Sequence, residues 1–255
     1  MIYGAAIAAI PLVFALLRYV MSRSIPRVIV VPQDAAESDD VLEGRRLHDP
    51  NTVSPIDKSK PGQIVCWDPC TMSDLGTVPA MSGEDVKRAV GRARAAQEEW
   101  AKSSFEQRRH TLRTLLRAVT DNMDVIVRVA CRDSGKTRVD ACLGEVMTTC
   151  EKLRWCISQG EKWLKPEYRD SGLMNMHKSS RVEYVPVGIV GAIVPWNYPF
   201  HNVFNPIVSA LTSGNGIVIK TSEYASWSTK YYSRLIRDVL AASGLPIPKP
   251  SSANR

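Results

Sequence analysis

The chain has 255 residues, 44% of them hydrophobic, so it can bury one sizeable core, with or without an appendage. Its formal net charge of +7 comes from 33 basic and 26 acidic residues that are spread along the sequence. Basic pairs such as Arg45-Arg46 and Arg108-Arg109 form no patch, and mixed charge of this kind is typical of a solvated surface. The composition therefore argues against a nucleic-acid partner, which would require clustered Lys and Arg interleaved with aromatic residues.

The spacing of the cysteines and histidines argues against a stapled or metal-bound domain. The six cysteines form no CxxC pair, and a chain of this size does not need disulfides, so reduced thiols are indicated. The four histidines are scattered and lack the paired spacing of zinc ligands. We therefore predict neither a disulfide framework nor a metal site.

Residues 1–23 are predicted to form a membrane anchor. No charged side chain precedes Arg18, and the apolar character resumes after it, so about 20 residues could cross a bilayer. A cleaved signal peptide would need a basic region before the apolar run, and none is present. Because Arg18, Arg23 and Arg27 follow the run, the positive-inside rule places the rest of the chain in the cytosol. An apolar helix docked in a core is the alternative.

Residues 24–62 lose hydrophobic periodicity and are rich in Pro, Asp, Glu, Ser and Lys, which predicts a tether or irregular surface chain. Residues 63–255 form the third predicted unit, which opens with a short strand pair at residues 64–67 and 75–79. A helical segment follows, marked by three capping patterns and one long periodic stretch: Ser82/Asp85, Ser104/Gln107, Asp121/Asp124 and residues 145–163.

The hydrophobic period then changes from that of helices to that of strands. The predicted elements are a strand at residues 181–185, a strand at 188–194, a helix at 204–211, a strand at 215–220 and a helix at 226–242. Apolar strands that alternate with helices are typical of a parallel sheet with right-handed crossovers. The predicted fold class is therefore α/β: an N-terminal membrane helix, a helical segment, and then the opening βαβα of a doubly wound domain.

The two apolar strands of this βαβα unit each lead into a polar loop. Ligands of open parallel sheets bind beyond the carboxyl ends of the strands, where Asn197, Lys220 and Glu223 fall. The Asn197 side chain could stabilise a developing oxyanion. Lys220 and Glu223 could bind ribose hydroxyls, with Glu223 repelling a 2′-phosphate. Taken alone, Asn197 could equally be a turn residue that bonds its own backbone, and the other two could belong to a solvated loop.

The motifs VGIVGAIVPWNYPF, NPIVSALTSGNGIVIK and TSE, in this order, resemble the aldehyde dehydrogenase superfamily. The resemblance extends back through Asp133-Ser-Gly-Lys136 and Gly144-Glu145 and covers residues 64–244, the N-terminal half of such proteins. It implies that the βαβα unit opens a Rossmann-like cofactor domain. Together with the N-terminal hydrophobic segment, it is most similar to the membrane-anchored branch. That similarity implies a location on the endoplasmic reticulum with the main domain facing the cytosol.

The resemblance also implies roles for individual residues. Asn197 matches the oxyanion donor, and the residues beside it that line the nicotinamide side of the cofactor match Val194, Pro195 and Trp196. The residues that bind the adenosine ribose match Lys220, Ser222 and Glu223. The glutamate implies NAD rather than NADP as cofactor, with an aldehyde as substrate. Thr221 departs from the family, where Pro usually follows the lysine, and this affects only the local loop shape.

The largest departure from the family is the absence of its nucleophilic cysteine and its glutamate base. Cys66 in GQIVC has one residue too many for the Gly-Gln-x-Cys motif and falls in the N-terminal hairpin, so it is not the nucleophile. We therefore expect no turnover from this chain alone. The alternative function is a non-catalytic, membrane-tethered truncated form that binds full-length subunits or nucleotide. Homo-oligomerisation through a hairpin at residues 170–185 is implied in either case, and an incomplete, unstable product is a third possibility.

Overall fold

The computed structural model describes residues 25–30, 54–56, 59 and 61–245. The predicted anchor, residues 1–23, lies outside this range, and within it no helix has the length and apolar character needed to span a bilayer. The predicted localisation at the endoplasmic reticulum membrane is therefore corrected and not retained. That prediction depended on hydropathy, on the charges after the apolar run and on the resemblance to a membrane-anchored branch, and the uncharged run before Arg18 only just reaches the ~17–25 residues of a spanning helix.

An antiparallel hairpin and two capped helices open the main unit. Strands β1 (Gln63–Trp67) and β2 (Asp74–Pro79) pair as predicted. Helices α1 (Gly83–Trp100) and α2 (Phe105–Asp121) follow them. Each helix begins at a reciprocal capping box, in which the serine hydroxyl accepts from a backbone amide three residues later and the side chain of that residue accepts in return. Both helix starts are therefore set by local sequence.

Helix α3 (Met123–Ser134) begins after Asn122, so the predicted start at Asp121 and Asp124 is wrong. Asn122 makes no side-chain cap and reaches a distant segment instead. Its Nδ2 donates to Val28 O at 2.8 Å, and its Oδ1 accepts from Val30 N at 3.0 Å. Val28 and Val30 are buried in the core, so this described part of the predicted tether packs against the helices.

The next helical stretch begins earlier than residue 145. It starts with the short helix Arg138–Asp140, continues as the π-helix Ala141–Met147, and ends as α4 (Thr148–Leu164). Strands β3 (Glu167–Arg169) and β4 (Ser180–Val182) then form an antiparallel hairpin. The predicted strand at 181–185 is thus shorter and shifted.

A parallel βαβα unit closes the described chain, as predicted. Strands β5 (Ile189–Ile193) and β6 (Gly216–Lys220) pair in parallel, and α5 (Pro199–Thr212) connects them. Helix α6 (Ser226–Ala242) follows β6. Helix α5 starts at Pro199 rather than at residue 204, which is consistent with the preference of proline for the first turn of a helix.

Helices cover both faces of the β5–β6 pair. Helix α1 lies against the face that carries Ile189, close to Gly216, and α5 lies against the face that carries Val190. The core joins α2, α3, α4, α5 and α6, and its centre is an aromatic cluster in which Phe200 and Phe204 stack at 4.2 Å and Tyr232 meets both edge-on. This packing fixes α5, and with it the loop before α5.

Candidate functional site

The carboxyl ends of β5 and β6 lie side by side. Ile193 is opposite Lys220 in the parallel register, and Val194 N donates to Lys220 O at 3.0 Å. The loops that follow the two strands therefore leave the sheet at one edge. This arrangement brings together Asn197 of the first loop with Lys220 and Glu223 of the second, the edge at which open parallel sheets bind ligands.

Asn197 lies in an exposed loop between β5 and α5. Its Oδ1 accepts from Asn202 Nδ2 at 3.3 Å, and Asn202 Nδ2 also donates to Pro195 O at 3.3 Å. Among the residues that the structure describes, the Asn197 side-chain NH₂ has no acceptor. It is therefore able to donate to a ligand. Sequence reasoning assigned no role to Asn202, which lies in the first turn of α5 and orients the Asn197 carboxamide.

A buried ion pair between Lys136 and Glu145 contacts this loop from the protein interior. Lys136 Nζ donates to the backbone O of Asn197 at 2.8 Å and to Glu145 Oε1 at 2.6 Å. The other oxygen of Glu145 accepts from Phe200 N at 2.6 Å and from His201 N at 3.2 Å, the free amides of the first turn of α5. Burial raises the pKa of the Glu145 carboxyl, while Lys136 and the two amides lower it. The pair thus anchors the loop and caps the helix.

The sequence around the pair explains its geometry. Glu145 lies within the π-helix, a feature that often marks functional sites. At Gly144 a Cβ atom would come within 2.9 Å of the Tyr198 ring, so a side chain there would push against the residue that follows Asn197. Lys136 Nζ lies 4.0 Å from the centre of the same ring, a cation–π contact. The motifs Asp133-Ser-Gly-Lys136 and Gly144-Glu145 therefore converge on the Asn197 loop.

The second loop carries the residues expected to bind ribose. Ser222 caps the short helix Glu223–Ala225, and Lys220 Nζ lies 2.7 Å from Glu223 Oε1. The hydrogen bond from Lys220 lowers the pKa of the Glu223 carboxyl, which is therefore ionised at neutral pH. Both side chains are exposed to solvent, so a ligand can reach them.

The predicted nicotinamide-side residues lie between the two loops. Pro195 and Trp196 are exposed, and Val194 is half-buried. Val194 and Asn202 also line a groove of about 430 Å³ between β5 and α5, whose strand wall is apolar and whose helix wall is part polar and part apolar. The groove gives the sheet edge one concave surface beside Asn197.

The cysteines do not supply a thiolate at this edge. Burial raises the pKa of the Cys66 thiol to about 12 and that of Cys131 to about 11, and it also raises the pKa of Cys150. All six cysteines precede the β5–β6 unit, and none forms a disulfide. Within the described ranges, no group of three or more His, Cys, Asp or Glu side chains is arranged to hold a metal ion.

Known proteins match both the sequence and the fold. The sequence profile of the aldehyde dehydrogenase family matches residues 56–247. An aldehyde dehydrogenase-like protein of Saccharomyces cerevisiae is 40% identical over 203 residues, which are 78% of this chain and 31% of that protein. One from Schizosaccharomyces pombe is 40% identical over 181 residues, 71% of this chain and 35% of the relative. This chain thus spans about a third of the length of these relatives.

Solved structures of aldehyde dehydrogenases match the fold of this chain. The succinate-semialdehyde dehydrogenase of Burkholderia pseudomallei superposes with a TM-score of 0.64 at 26% identity, covering 72% of this chain and 36% of that one. The betaine aldehyde dehydrogenase of Staphylococcus aureus, solved in complex with NAD⁺, gives a TM-score of 0.64 at 25% identity with the same coverage. These matches give no support to a membrane-anchored branch. They confirm the resemblance read from the motifs, and the chain belongs to the aldehyde dehydrogenase family.

Proposed function

We propose that this chain carries the oxyanion donor and part of the cofactor site of an NAD-dependent aldehyde dehydrogenase. One observation carries the proposal: Asn197, whose side-chain NH₂ has no acceptor among the described residues, lies at the joined carboxyl ends of β5 and β6. Hydrogen-bond donors fixed in advance where negative charge develops give large rate enhancements. An exposed asparagine on a braced loop meets that requirement.

The proposed chemistry assigns Asn197 to one step. A cysteine thiolate adds to the aldehyde carbon, and the carbonyl oxygen takes up the negative charge. The Asn197 NH₂ donates to that oxygen and stabilises the adduct. The chemistry that a bound NAD would supply is a site for the hydride that leaves the same carbon. Hydrolysis of the resulting thioester then releases the carboxylic acid and returns the thiol.

The residues of the second loop fit the ribose of the cofactor. Lys220 and Glu223 are exposed, the hydrogen bond from Lys220 lowers the pKa of the Glu223 carboxyl, and Ser222 lies between them. A charged Glu223 accepts from ribose hydroxyls and repels a 2′-phosphate, which favours NAD over NADP. Val194, Pro195 and Trp196 are proposed to line the nicotinamide side. The NAD⁺ complex of the betaine aldehyde dehydrogenase supports a dinucleotide site in this fold.

The nucleophile is proposed to come from outside these 255 residues. None of the six cysteines belongs to the β5–β6 unit, and burial disfavours the thiolate of Cys66, Cys131 and Cys150. We therefore expect the isolated chain to bind dinucleotide without oxidising an aldehyde. Aldehyde-dependent NADH formation by the purified chain would overturn this part of the proposal.

The experiment begins with the intact mass and C-terminal peptide map of the protein from its native source, which define the complete protein. In that protein, Asn197→Ala is expected to lower kcat by about 10²–10³-fold. Calorimetric titration of the chain with NAD⁺ and NADP⁺ tests the cofactor assignment. Glu223→Gln is expected to reduce the ratio of the Kd for NADP⁺ to the Kd for NAD⁺ by about tenfold. An unchanged kcat for Asn197→Ala would contradict the oxyanion role.

A second candidate function is subunit binding, and exposed apolar side chains favour it. The segment between β3 and β4 exposes Leu173 at 85%, Met174 at 90% and Met176 at 76%. Apolar side chains clustered on a hairpin are typical of an interface. Co-purification with a full-length subunit should be lost in Met174→Glu and kept in Met81→Glu, a control at an exposed methionine far from the hairpin in sequence. Capture that is equal in both variants would contradict this role.

A further inference from the structure

We propose that Lys136 and Glu145 are positioning residues that hold Asn197 in the orientation needed to bind an oxyanion. This inference rests on the proposed function and deepens it. Neither residue is at the exposed edge of the site, and their side chains are only 8% and 0% exposed. They act through the backbone that carries Asn197, and not on the substrate.

Lys136 restrains the loop at two successive residues. Its ammonium donates to the backbone O of Asn197 at 2.8 Å and lies 4.0 Å from the centre of the Tyr198 ring. Asn197 itself is exposed, and its side chain is bonded only through the longer contact with Asn202 among the described residues. The shortest hydrogen bond that fixes this residue therefore comes from Lys136.

Glu145 fixes the point at which the loop ends. It accepts from the amides of Phe200 and His201 and so caps the first turn of α5. Both contacts span more than fifty positions of sequence, so they tie α5 to the π-helix rather than to its own flank. The loop is thereby held at its carboxyl end by Glu145 and in its middle by Lys136.

The choice of a charged pair points to positioning rather than stability. A buried ion pair is often no more stabilising than apolar side chains of the same volume, because both charges must leave water. Apolar side chains, however, could neither donate to the Asn197 carbonyl nor accept from two helix amides. An oxyanion donor is effective only when its direction is set before the charge develops. The pair provides that restraint.

The experiment measures the order of the loop in the 255-residue chain by ¹⁵N relaxation. Lys136→Met alone leaves Glu145 buried without a partner, and the variant could fail to fold. The double variant Lys136→Met/Glu145→Gln removes both charges and keeps an oxygen that caps α5. We expect the order parameter of Asn197 to fall from about 0.85 to below about 0.6. The single variant Lys136→Arg, which retains a cationic donor, should keep most of the order that the double variant loses.

Lys152→Met is the matched control. Lys152 also links a neighbouring helix to α5, donating to Asn205 O at 3.0 Å and to Ser209 Oγ at 2.7 Å, without touching the Asn197 loop. The order of Asn197 should be unchanged in this variant. A folded double variant whose Asn197 keeps its order would overturn the inference.

Kinetics of the complete protein separate this inference from the proposed function. If Asn197 is the oxyanion donor and Lys136 positions it, the double variant should lose kcat in the same direction as Asn197→Ala, with the KM for NAD unchanged. A loss in Asn197→Ala without any loss in the double variant would overturn only the positioning role. No loss in either variant would refute the proposed function itself.

Discussion

Two lysine–glutamate pairs serve the two loops at the edge of the sheet: one contacts the Asn197 loop from the helical segment, the other joins the end of β6 to the loop that follows it, and the pairs differ in burial. Lys136 and Glu145 are 2.6 Å apart with side chains 8% and 0% exposed, whereas Lys220 and Glu223 are 2.7 Å apart and 57% and 38% exposed. Water screens the exposed pair, so its partners can separate to meet a ligand. The buried pair has no such freedom. Similar distances between the charged atoms therefore have different consequences. The buried pair restrains the Asn197 loop, whereas the exposed pair can give up its internal contact for one with a ligand.

The helices after the two strands repeat this contrast. Both are capped by a carboxylate from the helical segment: Glu145 accepts from the first turn of α5, and Asp133 accepts from Ser228 N in the first turn of α6 at 3.0 Å. Glu145 has a cationic partner. For Asp133, burial raises the pKa of the carboxyl to about 6, the bonds to Ser228 lower it, and nearby Asp68 raises it. Only the cap beside Asn197 is neutralised by a lysine.

The largest difference between the two pairs is expected when Lys136 is replaced. Lys136→Met leaves Glu145 charged, buried and without its partner, so we expect a loss of about 3–5 kcal/mol in the free energy of unfolding. Urea denaturation followed by circular dichroism measures it. The double variant with Glu145→Gln should recover a large part of the loss. A single variant as stable as the wild type would show that the pair is not buried in solution.

Gly144→Ala tests the contact between the π-helix and the loop. The added Cβ would lie 2.9 Å from the Tyr198 ring, so the ring must move. Gly91→Ala in α1 is the control, because no atom lies within 4 Å of its Cβ position. We expect Gly144→Ala to be less stable than this control by about 1–3 kcal/mol in urea denaturation. Equal stability of the two variants would contradict the close packing of Tyr198.

Asp133→Asn sharpens the difference between the two caps. The pKa of this carboxyl is about 6 in the folded protein and close to 3.8 when unfolded, so the wild type loses stability as pH rises through 6. Asn does not titrate but still accepts from Ser228 N. Between pH 4 and pH 7.5, the stability of Asp133→Asn relative to wild type should therefore rise by about 2 kcal/mol. Parallel pH curves for the two proteins would contradict the burial of the charge.

The smallest effect is expected at the exposed pair. Lys220→Met removes a solvated partner of Glu223, and such pairs contribute about 0–1 kcal/mol to stability. Urea denaturation should therefore barely distinguish this variant from the wild type, while its affinity for NAD⁺ falls. A stability loss as large as that of Lys136→Met would contradict the distinction between a buried and an exposed ion pair.

Local sequence was sufficient where each element carries its own signals. The capping boxes at Ser82 and Ser104 predicted two helix starts, and the apolar runs predicted the parallel strands. The start of α5 was missed because its cap, Glu145, is distant in sequence. Asn122 was missed for a related reason, since its side chain bonds the remote Val28 and Val30 in place of its own helix.

The candidate site was predictable only in part. The family resemblance pointed to Asn197, Lys220 and Glu223, and the structure brings the ends of their strands together. Nothing in the sequence assigned a task to Lys136 or Glu145, because their convergence depends on a π-helix and on contacts between distant segments. The predicted membrane location is corrected because no helix of the described residues is long and apolar enough to span a bilayer.

The π-helix has a consequence for how the length of this chain segment can vary. A π-turn holds one residue more than an α-turn, and removing one residue from 141–144 would restore a regular α-helix. The helical turns on either side would stay in phase, because the π-turn is where the extra residue is accommodated. The backbone that carries Gly144 and Glu145 would nevertheless change its path, and the 2.6 Å contact between Glu145 and Lys136 depends on that path. A single-codon deletion would therefore weaken the support of the Asn197 loop without changing any side chain proposed to bind substrate or cofactor.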